Sequence, residues 1–225
     1  MGSAICYDPH FAVCGLYIVH PDFRGQGYGL QLTQESLRYV ALRNAGIDGV
    51  IENICIYERI GYRVAYHNMR YQGLAREAKF DQNTIVAVSE INFADLAAYD
   101  HLCFPAPRDT FLCAWIEQAD SQAIAYVKQG QLMGYAVRRQ CIEGHKIGPL
   151  FADSFEIAKH LLNSLQQGII GESVFVDITN INPAAKRLVE QQKMQEVFCT
   201  GRMYLKGQPS LDDEKIFAIT TFELG

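Results

Sequence analysis

Two apolar runs open the chain, residues 4–6 and 11–19, with Asp8, Pro9 and His10 between them as turn chemistry, and the pattern predicts a hairpin. Residues 20–29 are glycine-rich. From Leu30 an apolar stripe of Leu30, Leu37, Val40 and Ala41 predicts a helix over 30–44, ended by Gly46. Residues 47–51 read as a short strand, 54–60 as a short helix stopped by Gly61, and 62–71 as a strand with partly alternating polarity.

The pattern then lapses. Residues 72–83 are polar and unperiodic, and the linker is placed at 74–83, dividing the chain into units 1–73 and 84–225. The second unit opens with a strand over 84–89. A helix capped by Asn92 runs through Leu102, Pro105 and Pro107 interrupt, and a second helix covers 109–118. Strands over 122–128 and 132–141 are joined at Gly130, and Gly144 precedes a strand over 145–150. Asp153 at capping-box distance from Glu156 starts a helix to Gln167. A strand over 174–178, a helix capped by Asn182-Pro183 to Gln192, and strands over 197–206 and 216–222 complete it. The fold class expected is α/β, an α+β mixed sheet with helices on its faces.

Composition narrows the function classes. The 225 residues are 49% hydrophobic, enough for a substantial core. The net charge of −5, with basic residues scattered, argues against nucleic acid as a partner. The longest apolar stretch has about half the length of a membrane span, and no basic leader precedes it, so no membrane partner and a cytoplasmic location are expected. Seven cysteines without a C-x-x-C suit buried thiols in a reducing compartment. Cys141 and His145 lack further metal ligands in sequence, so no metal is expected; they also lack a third group that would make them a nucleophile and base. Trp115, at helical spacing from Phe111 and Leu112, reads as core.

The chemically informative segment is residues 15–29, an apolar strand feeding a glycine loop that opens a helix. Glycines let successive N–H groups turn toward one point, the helix start adds its positive dipole end, and Arg24 adds a full charge. The loop is thus an anion site. It is not a P-loop, having no lysine, and it is not the dinucleotide fingerprint, because Leu30 stands at the third glycine position.

Arg24, Gly27 and Gly29 match the R/Q-x-x-G-x-G/A loop of the GNAT superfamily of acetyl-CoA-dependent N-acetyltransferases, which the sequence resembles. The downstream Tyr57-Glu58-Arg59-Ile60-Gly61-Tyr62 is similar to that superfamily's Y-E-K-x-G-F element. Residues 16–19, 48–50, 104–108, 147–153 and 202–204 resemble its tandem, YitH-like subfamily, in which a second GNAT-like unit follows the first. Such modules carry a strand and two helices ahead of the hairpin, and the first unit is expected to lack them. The missing part would leave a sheet edge able to recruit a second copy as a homodimer.

The resemblance implies acetyl transfer to a primary amine of a small molecule or peptide, with acetyl-CoA as cosubstrate. The pyrophosphate would lie on the N–H groups of Gly25, Gln26, Gly27, Tyr28 and Gly29. Ile18 and Val19 would pair with the pantetheine amides, one of them also donating to the thioester oxygen. Tyr57 would return a proton to the thiolate, and Glu52 is the candidate base. Asn53 is read mainly as a helix cap. In the second unit the matching loop has Pro149, without an N–H, and Asp153, which repels phosphate, although Asn182 matches a superfamily asparagine. The alternative is a non-catalytic acyl-CoA-binding or interaction protein.

Overall fold

A computed structural model describes residues 1–225. Strands β1 (Ser3–Cys6) and β2 (Phe11–Gly15) form the expected antiparallel hairpin, its turn fixed by the Asp8 carboxylate accepting from the N–H groups of His10 and Phe11 at 2.7 and 2.6 Å. β2 buries Phe11, Ala12 and Val13, but it stops at Gly15, four residues before the apolar run does. Leu16, Tyr17 and Ile18 are instead exposed, at 41%, 46% and 52%. Their apolarity belongs to the lip of a cleft.

Helix α1 (Tyr28–Val40) starts earlier than the stripe implies, because Gly27, at φ +85°, turns the chain into it. It ends at Ala41 and not at Gly46. Gly46 lies inside β3 (Asn44–Val50), where a β-carbon would press on the Tyr204 ring at 3.1 Å. α2 (Ile54–Ile60) ends at Gly61, at φ +120°, as the sequence reads, and β4 (Arg63–Leu74) follows.

Residues 75–81 carry no helix or strand, yet Ala75 is buried and its N–H donates to the Glu172 carbonyl at 2.9 Å. Next come β5 (Ile85–Ala87), α3 (Phe93–Cys103, capped by Asn92) and α4 (Asp109–Ile116). β6 (Ser121–Lys128) and β7 (Gln131–Gln140) turn through Gln129 and Gly130, both at positive φ. β8 (His145–Ala152) leads to α5 (Phe155–Leu165), which Ser154 caps in place of Asp153. The Asp153 carboxylate is engaged elsewhere, accepting from the Tyr99 hydroxyl at 2.8 Å and Lys215 at 2.6 Å. β9 (Ser173–Thr179), α6 (Pro183–Gln191), β10 (Gln195–Tyr204) and the short β11 (Ile216–Ala218) complete the chain.

All eleven strands join one mixed sheet in the order β1-β2-β3-β10-β4-β9-β8-β7-β6-β5, with β11 on β8. β10 therefore lies between β3 and β4, and β4 lies between β10 and β9, so the late strand completes the early part of the sheet and the reverse. Only two neighbouring pairs run parallel, β2 with β3 and β8 with β9. The largest apolar cluster packs α5 and α6 on the sheet through fully buried Leu161, Leu165, Val176 and Ile178. Truncating such a leucine to alanine costs about 2–5 kcal/mol. No helix is long and apolar enough to cross a membrane.

Candidate functional site

β2 and β3 pair over three residues each, Phe11 to Val13 against Asn44 to Gly46, and then part. The cause is local. Gly15 runs hard against the backbone of Glu223, and Leu16, at φ +50°, turns the chain out of the sheet. The wedge left between the strands is a cavity of about 330 Å³. Because alternate strand residues face opposite sides, it opens on both faces of the sheet. Cys14, Leu37, Ile47 and Tyr57 line it beneath α1 and α2, while Asp48, Thr200, Phe198, Phe222 and Glu223 line its far side.

A second cavity, about 540 Å³, adjoins it at Tyr17, Ile18 and Asn53 and extends along Val19, Arg24, Gly25 and Gly29. Of the sequence-predicted loop residues, Arg24, Gly25 and Gly29 line this cavity, while Gln26, Gly27 and Tyr28 do not. Gly25 and Gly27 have φ of +75° and +85°, and no side chain caps α1. The N–H groups of Gly25, Gln26, Gly27, Tyr28, Gly29 and Leu30 carry no hydrogen bond; the first intrahelical bond is Gln31 to Gly27 at 3.1 Å. Arg24 donates from Nε to the Val19 carbonyl at 3.0 Å, which leaves the outer guanidinium without a carboxylate partner. A β-carbon at Gly29 would collide with the Tyr17 hydroxyl. Six free N–H groups, a helix start and a free cation make an anion cradle.

Ile18 and Val19 are not strand residues, and this corrects one expectation. Both backbone groups of Ile18 are taken by Met1, whose ammonium donates to the Ile18 carbonyl at 2.6 Å and whose carbonyl accepts from the Ile18 N–H at 2.9 Å. The Val19 N–H is free.

Tyr57 lines the wedge from α2, its ring lying over Gly49, where a β-carbon would meet it at 2.7 Å. Burial raises its phenol above the usual range, neighbouring Tyr17 adds to this, and Asn53 pulls the other way. Tyr57 is therefore a protonated phenol at neutral pH. Glu52 is not brought to the site. It sits exposed on the turn Ile51–Asn53 and lines neither cavity, one step round the turn from Asn53. Asn53, in turn, makes no cap hydrogen bond to α2 and stands where the two cavities meet. Val50 lines the wedge as well.

The other parallel pair behaves differently. β8 and β9 pair over residues 145–147 and 174–176 and then part, but β11 fills the gap, with Ile216 opposite Phe151, Ala218 opposite Leu150, and the Ile219 N–H on the Asp177 carbonyl at 2.9 Å. Asn182 locks this plug. Its Oδ1 accepts from the N–H groups of Ala184 and Ala185 at 3.0 and 3.3 Å, and its Nδ2 donates to the carbonyls of Glu214 and Ile216, both at 3.0 Å. The second wedge is packed shut. Trp115 is core, its indole N–H on the Gly148 carbonyl at 3.1 Å, and His145 meets Glu172 at 3.0 Å. No three His, Cys, Asp or Glu side chains gather into a metal-binding group.

The acetyltransferase (GNAT) domain family matches residues 96–218, a stretch that holds the plugged wedge and, through Phe198 and Thr200, part of the far side of the open one. The chain is 25% identical over 224 residues to a holothin acyltransferase from Pseudoalteromonas sp. (strain SANK 73390), covering 99% of this chain and 76% of that protein. It is 26% identical over 158 residues to the uncharacterized N-acetyltransferase YitH of Bacillus subtilis, covering 68% of this chain and 56% of that one. In fold it is similar to a putative acetyltransferase from Pyrococcus horikoshii, with a TM-score of 0.86 at 21% identity over 100% of this chain and 75% of that one.

Proposed function

The chain belongs to the GNAT acetyltransferases, and on that premise we propose that it moves an acetyl group from acetyl-CoA to a primary amine in the wedge between β2 and β3. The observation that carries this reading is the contrast between the two parallel pairs: one wedge is open and leads to the glycine loop, the other is filled by β11. In the same reading residues 1–73 and 84–225 are two GNAT-like units joined by 74–83, which exchange β4 and β10 across the sheet. The second unit holds the first unit's sheet together and closes its own cleft.

The residues fit the cosubstrate in kind. Free N–H groups from Gly25 to Leu30, with Arg24, suit a pyrophosphate, and the mixed polar and apolar cleft past Tyr17, Ile18 and Asn53 suits a pantetheine arm with its amides. The Val19 N–H is the free donor for the thioester oxygen as that oxygen gains charge. A neutral amine forms the new N–C bond, the C–S bond breaks, and Tyr57 gives its proton to the departing sulfur. Burial keeps that proton in place until it is needed.

Isothermal titration of the full chain with acetyl-CoA and with CoA tests this. Micromolar binding at one site per chain, lost in Arg24→Ala, is expected. Absence of binding by the wild type overturns the proposal. Binding without acetylation of any amine leaves a binding protein.

A further inference from the structure

The far side of the open wedge is not built by the residues that surround it in sequence. Phe198 and Thr200 come from β10, and Phe222 and Glu223 from the segment after β11. We propose that this wall is the acceptor pocket, with Glu223 receiving the ammonium of a primary amine borne on an apolar body of aromatic size, and Phe198 and Phe222 receiving that body. The inference rests on the reading of the wedge as the acyl-transfer site.

Charge accounting selects Glu223. Two carboxylates line the wedge, and Asp48 is spent: it accepts from Asn68 Nδ2 at 2.7 Å and Thr200 Oγ1 at 3.1 Å and is ion-paired with Arg202, its own side chain only 1% exposed. Glu223 is half-buried and has no cation within ion-pair distance. The charged groups near it are Arg70 on β4 and Lys146 on β8, which lie over the Phe222 ring at 4.8 and 5.4 Å. Both are bound to Asp177 on β9, Arg70 through bonds of 2.8 and 2.9 Å. Glu223 thus presents a half-buried carboxylate outside any ion pair, beside an aromatic wall and with Arg70 and Lys146 as the cations nearest to it.

The wall is aromatic. Phe198 and Phe222 have ring centroids 5.8 Å apart; Phe222 is buried and backs the wall, while Phe198 is 42% exposed although it faces a cavity. Apolar surface left open beside one free carboxylate suits a cation with an apolar body better than a polyamine. Gly15 fixes the position, since its contact with the Glu223 backbone places that residue where β2 leaves β3, across the wedge from Tyr57.

The step balances. The ammonium gives one proton to the Glu223 carboxylate, which passes it to water. The freed amine attacks the thioester carbon and the C–S bond breaks. Sulfur takes the Tyr57 proton, and the second amine proton, leaving the new amide nitrogen, restores Tyr57 through solvent.

The test compares 2-phenylethylamine, methylamine and putrescine as acceptors with acetyl-CoA as donor, for wild type, Glu223→Gln, Glu223→Asp and Phe198→Ala, with acetyl-CoA affinity and melting temperature measured alongside. Wild type should prefer 2-phenylethylamine. Glu223→Gln should lower kcat/KM for that amine at least tenfold, Glu223→Asp should fall between, and neither should change acetyl-CoA affinity or melting. Phe198→Ala should raise KM for 2-phenylethylamine and not for methylamine. A Glu223→Gln enzyme within twofold of wild type, a preference for putrescine, or acetyl-CoA binding with none of the three amines acetylated overturns the acceptor pocket alone. Failure of wild type to bind acetyl-CoA overturns the reading beneath it as well.

Discussion

Gly15 and Glu223 meet backbone to backbone: a β-carbon on Gly15 would stand 2.6 Å from the Glu223 carbonyl oxygen and 3.1 Å from its Cα. The contact joins the end of β2 to the last residues of the chain, and it sets both where the wedge opens and where its far wall stands. The obstructing atoms are backbone, so they yield only if the segment shifts. Gly15→Ala is expected to cost about 1–3 kcal/mol, read as a lower urea midpoint at unchanged slope. It should also lower kcat/KM for the amine more than it weakens acetyl-CoA.

The glycine loop supports a second prediction of the opposite kind. A β-carbon at Gly27 would meet nothing within 4 Å, so the penalty of Gly27→Ala lies only in the backbone at φ +85°, about 1–2 kcal/mol. The chain should relieve that strain by turning the N–H groups of residues 25–30 out of alignment. Acetyl-CoA affinity should then fall tenfold or more by titration, while the melting temperature moves little. Because the cradle is exposed, wild-type affinity should also fall as salt rises. Two binding sites per chain, or a Gly27→Ala variant that binds normally, would count against the loop.

The same loop shows what a sequence discloses. Gly25, Gly27 and Gly61 adopt positive φ for reasons held within a few residues, and so the glycine turn into α1 and the end of α2 could be read directly. The run 11–19 misled because apolar residues line clefts as well as cores; Tyr17 and Ile18 are exposed and wall the channel. Glu52 misled because nearness in sequence is not direction, and the turn Ile51–Asn53 leaves Asn53 at the cavities and Glu52 outside them. Glu223 could not be read at all. Its place depends on β10 lying between β3 and β4 and on β11 filling the second wedge, and neither pairing is written in the pattern of its own strand.

Tyr57→Phe removes one oxygen from a ring that packs over Gly49. The fold and the acetyl-CoA affinity should persist, while kcat falls about 10²–10⁴-fold if the phenol supplies the proton. The pH sign follows from burial. An acid must be protonated to act, and the raised phenol stays so throughout the neutral range, so Tyr57 should cause no loss of kcat there, its loss coming only at alkaline pH above the range of an ordinary tyrosine. A wild-type kcat that falls on its account near pH 8, or a Tyr57→Phe variant with normal kcat, would assign the proton to another group.

Asp48 and Arg202 supply the control for all of this, because Asp48 lines the wedge yet is structural. Their side chains are 1% and 5% exposed, and Asn68 and Thr200 complete the carboxylate's shell. Asp48→Asn leaves the Arg202 charge buried without its partner, which costs about 3–5 kcal/mol. Adding Arg202→Met removes the stranded charge, so the double variant should be more stable than the single one. Chemical denaturation of the four proteins of this cycle measures the coupling. If Glu223 is the group that takes the ammonium proton, Asp48→Asn should leave the ascending limb of the kcat/KM profile where it was in whatever fraction remains folded. A shift of that limb in Asp48→Asn, with none in Glu223→Gln, would transfer the role to Asp48 and return the base to the strand that carries the wedge.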